Sequence, residues 1–204
     1  MNIHIEHLSK RFVTNRWIIK NMNLQCSSST IYGISGQNGS GKTTLISMMS
    51  GLLVPTQGKI KWIHQEQVLS EQEWFHYLNI AAPYADLFEY LTITELLDFH
   101  LKCKSFYDNM DATQFLDLCY LQPNKHSTIK SLSSGMKQRL KLCLAILTQS
   151  EVIFLDEPRS NLDTFAQQWY QELLLKFRKN RLIIIASNDA ADFDLVDEVI
   201  QLNT

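Results

Sequence analysis

A chain of 204 residues, 45% apolar and with a formal net charge of −2, can bury a sizeable core in one domain, or in one domain with a subdomain. No apolar run approaches the roughly 20 residues that cross a bilayer, and the polar start Met1 to Lys10 lacks the basic-then-apolar layout of a signal peptide, so a cytoplasmic protein is expected. The absence of a long basic run or basic stripe argues against a nucleic-acid partner, and the dispersed Cys26, Cys103, Cys119 and Cys143, with no C-x-x-C pair, predict idle thiols rather than a metal or disulfide framework.

The first sixty residues read as short strands and turns. NIHIEHL alternates, STIYGIS leads into a glycine cluster, and GKIKWI follows the turn signal PTQG. One helix lies between them, starting at Gly41 and running through KTTLISMMS, with Gly51 placed to end it in the left-handed conformation. HYLNIAA predicts a strand stopping at Pro83. From Tyr84 to Lys130 the character turns helical, in TITELLDFHLKC and DATQFLDLCYL. Strand patterns return as EVIFLDE, RLIIIAS and DEVIQL, and FAQQWYQELLLKF sets Phe165, Trp169, Leu173 and Phe177 at four-residue steps. Alternating strands and helices predict an α/β sheet covered on both faces.

Glycine placement locates the chemistry. The chain has seven glycines, and four of them, Gly33, Gly36, Gly39 and Gly41, fall within nine residues. The run Gly36, Gln37, Asn38, Gly39, Ser40, Gly41, Lys42, Thr43 fits G-x-x-x-x-G-K-[ST], with an apolar strand entering and a helix leaving. In that pattern backbone N–H groups converge on phosphate oxygens, the helix start adds positive partial charge, Lys42 neutralises the outer phosphates and the Thr43 hydroxyl ligates Mg²⁺. EVIFLDEP ends a buried strand in two carboxylates. Either they form a solvated pair, or Asp156 reaches the Mg²⁺ shell and Glu157 orients or deprotonates the attacking water. In SLSSGMKQRLKLCLAIL, Gly135 stands at a helix start with Ser133 or Ser134 as N-cap; alone this is a cap, and in this order it is a second anion-binding helix end.

Together these motifs resemble the nucleotide-binding subunit of an ATP-binding-cassette (ABC) transporter over essentially the whole chain. GQNGSGKTT, including Thr44, is similar to the Walker A loop, LSSGMKQR to the signature LSGGQ, VIFLDE to the Walker B strand with its catalytic glutamate, and NLD, ending in Asp163, to the D-loop. Phe12 matches the aromatic that stacks on adenine; core packing is the alternative for it. The resemblance implies a P-loop NTPase fold of ABC type, with a mixed-sheet core (1–83 and 131–204), an N-terminal antiparallel β region and an inserted helical subdomain at about 84–130. It implies ATP and Mg²⁺ as cofactors. A second cassette chain would close a head-to-tail dimer in which Ser133, Ser134 and Gly135 face the partner's ATP. An integral-membrane transporter subunit would hold the chain on the inner face of the membrane, docking near Tyr84 to His100; those apolar residues could equally be subdomain core.

Two positions depart from the family pattern. Tyr84 stands where a glutamine contacts Mg²⁺ and water, and Asn188, in IIIASND, stands where a histidine contacts the γ-phosphate. Asn188 can donate an uncharged hydrogen bond but cannot carry positive charge. The leading expectation is the ATPase subunit of a membrane transporter. The alternatives are an ATP-gated module that hydrolyses slowly or not at all, a soluble ABC-type ATPase of DNA repair or translation, and an unrelated P-loop kinase.

Overall fold

The computed structural model describes residues 1–13 and 16–202. In chain order the elements begin with β1 (Asn2–Val13), β2 (Arg16–Ser27), β3 (Ile31–Ser35), α1 (Lys42–Met49), β4 (Gln57–His64) and β5 (Gln67–Val68). They continue with α2 (Trp74–Tyr77), β6 (Leu78–Ala81), α3 (Ile93–Cys103), α4 (Ala112–Leu118) and α5 (Ser134–Leu147). The last are β7 (Val152–Asp156), α6 (Thr164–Phe177), β8 (Leu182–Ala186) and β9 (Glu198–Gln201).

Two sheets form. The antiparallel one has the order β2-β1-β4-β5, with Ile3 opposite Cys26 and Trp62. The other, β6-β7-β8-β3-β9, is parallel throughout. Every residue of β7 and β8 is buried, which is why both read as unbroken apolar runs rather than alternating ones. One hydrophobic cluster joins the antiparallel sheet and α1 to one side of the parallel sheet through Trp62, Leu45 and Phe154. A second joins α3, α4, α5 and α6 to the other side through Leu97, Phe115, Leu142, Tyr170 and Leu155.

Several sequence expectations are corrected. β2 is a strand that the sequence pattern does not announce: its polar Lys20, Asn21 and Asn23 are exposed and its pairing with β1 is interrupted by irregularities after Ile5 and Leu8, so strict alternation is lost. The strand expected over His76–Ala82 begins only at Leu78: buried Trp74 stacks on Trp62 at 5.2 Å and holds a single helical turn before it. Phe165 leaves the buried stripe of α6 and is 61% exposed, while Trp169, Leu173 and Phe177 remain buried. Cys119 and Cys143, expected as idle thiols, are paired as a disulfide with their Cα atoms 6.2 Å apart. Packing of α4 on α5 brings together two residues 24 apart in sequence, a proximity that spacing cannot reveal.

The parallel order fixes where chemistry can occur. β8 lies between β7 and β3, so the residues that follow these three strands meet at one edge. In open α/β sheets this carboxyl edge is where ligands bind.

Candidate active site

The glycine loop leaves β3 and folds onto itself. A Cβ on Gly36 would lie 2.5 Å from Ser40 Oγ, and one on Gly41, whose φ is 102°, would lie 2.7 Å from Ile18 Cγ2. Glycine is thus required at both places, by close approach at Gly36 and by a left-handed backbone as well at Gly41. Gly41 caps α1, which begins at Lys42, one residue later than expected, and Gly51 closes the C-terminal side at φ 79° as predicted. The Lys42 Nζ folds back over its own loop, donating to Gly36 O at 2.9 Å and to Asn188 Oδ1 at 2.8 Å. Buried Ser40 Oγ has no hydrogen-bond partner among the described residues.

Two strand ends complete the cluster. Thr43 Oγ1 donates to Asp156 Oδ2 at 2.7 Å, while Asp156 Oδ1, buried, has no partner among the described residues. Burial pushes the Asp156 carboxyl upward, opposed by the Thr43 hydroxyl. Glu157 follows at φ 48°, a left-handed conformation that costs a non-glycine residue free energy and marks functional turns. Its N–H donates to Ala186 O at 2.8 Å, holding it beside β8. Asn188 stands between the loop and the acids: its Nδ2 donates to Glu157 Oε1 at 3.0 Å and to Asn38 Oδ1 at 2.6 Å.

The donor set fits a nucleotide with a divalent cation. Backbone glycines and a lysine suit phosphate. Asp156 Oδ1 and the Thr43 hydroxyl are hard oxygen ligands of the kind Mg²⁺ takes. When bound, the cation neutralises phosphate charge, and Thr43 and Asp156 are the residues that would hold it.

The second half of the predicted site lies apart. Ser133, not Ser134, caps α5, accepting from Met136 N at 3.2 Å. A Cβ on Gly135 would lie 3.0 Å from Asn161 O, so the signature and D-loop segments touch. Ser133, Ser134, Gly135, Asn161, Asp163 and Phe165 border one concavity of about 440 Å³. Asp163 has a local duty as well: it caps α6, accepting from Ala166 N at 2.8 Å. Gln138 Nε2 donates to Pro158 O at 2.9 Å, linking the signature helix to the segment after Glu157.

Phe12 is 61% exposed with Lys10 Nζ 5.1 Å from its ring centre, which removes the core-packing alternative. A cavity of about 690 Å³ beside Gly39 and Ser40 is bordered instead by Trp17, Ile18, Ile19, Met22 and Leu202. No sequence signal marks this cavity, because the pattern of β2 does not announce a strand. Tyr84 reaches α1, its hydroxyl accepting from Ser47 Oγ at 3.4 Å, and burial, with a smaller push from Asp156, raises its pKa. The segment expected either to dock a partner or to form core divides into buried and exposed residues. Ile93, Leu96 and Leu97 are buried, whereas Phe88, Tyr90 and Phe99 are exposed around a groove of about 530 Å³.

A family model described as ABC transporter matches residues 19–160, a span that carries the loop, the signature helix and both acids. The chain belongs to the ABC transporter family. It is 30% identical over 210 residues to the human "Phospholipid-transporting ATPase ABCA3", covering 98% of this chain and 12% of that protein. It is 28% identical over 185 residues to the "Uncharacterized ABC transporter ATP-binding protein YcbN" of Bacillus subtilis (strain 168), covering 90% of this chain and 60% of that one. Among solved structures, the ABC fold recurs in "Dimeric Structure of MJ0796, a Bacterial ABC Transporter Cassette", with a TM-score of 0.84 at 20% identity, covering 98% of this chain and 94% of that one. Among the described residues no helix is long and apolar enough to cross a membrane.

Proposed function

We propose that the chain binds Mg-ATP in the Gly36–Thr44 loop and hydrolyses it slowly, with Glu157 as general base, and that a pair of such cassettes closing on ATP powers a membrane transporter. The observation that carries this is the meeting of Lys42, Asn188, Glu157 and the Thr43–Asp156 pair at one edge of the parallel sheet. Lys42 exchanges its two internal acceptors for phosphate oxygens, Asn188 supplies a neutral hydrogen bond, and Glu157 accepts the proton of the attacking water.

The chain acts as one ATPase domain, core 1–83 and 131–204, with the helical subdomain at about 84–130. Its second cassette is a further copy of the same chain, whose Ser133, Ser134 and Gly135 meet the first copy's ATP. Phe12 stacks on adenine when nucleotide is bound. The groove around Phe88, Tyr90 and Phe99 receives a membrane subunit that keeps the protein on the cytoplasmic face. Steady-state phosphate release under saturating Mg-ATP, with and without a membrane subunit, tests this reading; it expects slow release that the membrane subunit accelerates.

A second reading has a specific observation in its favour. Asn188 carries no charge and is already bonded to Glu157, and Tyr84 replaces the glutamine, which suits an ATP-gated module that regulates its partner. Undetectable release even with the membrane subunit would favour it.

A further inference from the structure

Behind the switch loop lies a polar cluster that the phosphate site does not use. Arg159, two residues beyond Glu157, places its Nε 3.1 Å from Asp189 Oδ2 and donates from Nη2 to Gln167 Oε1 of α6 at 2.7 Å. Asp189 directly follows Asn188 and caps the short 3₁₀ segment Ala190–Leu195, accepting from Ala191 N at 2.9 Å. Within that segment Asp192 is fully buried, and neither of its carboxylate oxygens has a hydrogen-bond partner among the described residues. The same is true of the buried Tyr170 hydroxyl on α6 and of Arg159 Nη1.

These orphaned groups lie within electrostatic reach of one another. Asp192 and Arg159 both act electrostatically on the Tyr170 hydroxyl, and Arg159, Asp189 and Glu157 act on Asp192. Burial pushes Asp192 up to about 6, opposed by the Ser187 hydroxyl and by the Arg159 charge. Orphaned polar atoms are rare in folded proteins, and three side chains carrying them in one cluster call for an explanation. The arrangement is a largely buried guanidinium ion-paired to one carboxylate of the switch segment, with a second, Asp192, within its electrostatic reach.

We propose that Arg159 is a positioning residue for hydrolysis: its guanidinium ties the switch segment, through Asp189 and with Asp192 in electrostatic reach, to the strand end that carries Glu157, and so sets the Asn188–Glu157 contact. The proposal rests on the ATPase reading above. Arg159 is ion-paired to Asp189 and hydrogen-bonded to Gln167, both outside the phosphate loop, so its effect falls on turnover rather than on nucleotide affinity.

The test uses the full chain with Arg159→Met, Arg159→Lys, Asp189→Asn and the Arg159→Met/Asp189→Asn double variant. Two readouts are steady-state ATPase and backbone hydrogen exchange of residues 187–193 without nucleotide. Arg159→Met should lower kcat about tenfold with KM for ATP within about twofold, since misplacing one preorganised donor acts on the transition state. Arg159→Lys should recover part of the loss. The double variant should be no worse than the singles, as for residues that share one interaction. Exchange over 187–193 should quicken in Arg159→Met and stay near the parent in Arg159→Lys.

Unchanged exchange in Arg159→Met would overturn the proposal. So would unchanged kcat, or additive losses in the double variant with KM rising in step, which mark general damage. If the parent itself releases no phosphate, the ATPase reading fails on its own, and the exchange data still decide whether Arg159 tethers the segment. Thermal melting of Arg159→Lys against the parent checks that the fold survives.

Discussion

Asn188 hydrogen-bonds Glu157, Nδ2 to Oε1 at 3.0 Å, while its Oδ1 accepts from Lys42 at 2.8 Å, so one neutral amide bridges the loop lysine and the carboxylate proposed as general base. β8 makes this possible by lying between β7 and β3. A histidine in its place would bring a ring that can carry charge. Asn188→His is therefore expected to raise phosphate release under saturating Mg-ATP, and Asn188→Ala to lower it by about 10²-fold, the usual effect of deleting one preorganised donor. Equal rates for parent and both variants would show that Asn188 takes no part in the reaction.

Lys42 makes the only side-chain contacts between the loop's positive charge and neighbouring acceptors among the described residues, at Gly36 O and Asn188 Oδ1. Charge-assisted contacts of this kind are worth about 1.5–3 kcal/mol. Lys42→Ala should weaken Mg-ATP binding at least tenfold in equilibrium titration; undiminished affinity would remove the loop from the binding site.

Much of this site was legible in the sequence because its residues depend on local pattern. The glycine spacing, the apolar run ending in Asp156 and Glu157, and Gly135 with its Ser133 cap each lie within about ten residues of chain. The long-range pairings were not legible. Arg159 meets Asp189 only because the turn after β7 packs on the segment after β8, and the one available signal was a basic residue in DEPRSNLD, just past the acid pair. Trp17 borders a cavity where the pairing of β1 with β2 is irregular, which strict alternation does not foretell. Cys119 and Cys143 likewise meet through helix packing.

The concavity shared by Ser133, Gly135 and Asp163 is bordered by no residue of the 36–44 loop, and in the proposed head-to-tail pair a second copy supplies its anion. Glu157→Gln with Mg-ATP should elute as a dimer in sizing chromatography. Adding Gly135→Asp should abolish that dimer while ATP affinity stays within about twofold, because it places a carboxylate at an anion-binding helix start. A dimer that persists would contradict the head-to-tail arrangement.

Asp192 also sets a pH dependence of stability. Its folded pKa, about 6, lies above the ordinary carboxylate value of 3.8, so between those values the folded chain holds a proton that the unfolded chain has released. Stability from this group is full below about pH 4 and is lost as pH rises through about 6, by roughly 2–3 kcal/mol in all. Asp192→Asn removes the titration. Chemical denaturation at pH 4, 5, 6 and 7 should show the variant gaining on the parent by that amount across the range; a constant difference would show that Asp192 titrates normally.

The central claim is that the loop, the Thr43–Asp156 pair and Glu157 form one ATP-hydrolysing site. Its most direct test is phosphate release by parent and Glu157→Gln at saturating Mg-ATP, with nucleotide binding measured on the same samples. The parent should release phosphate slowly and only with Mg²⁺, and Glu157→Gln should bind ATP as well as the parent yet release none. Equal release by the two proteins would contradict the account.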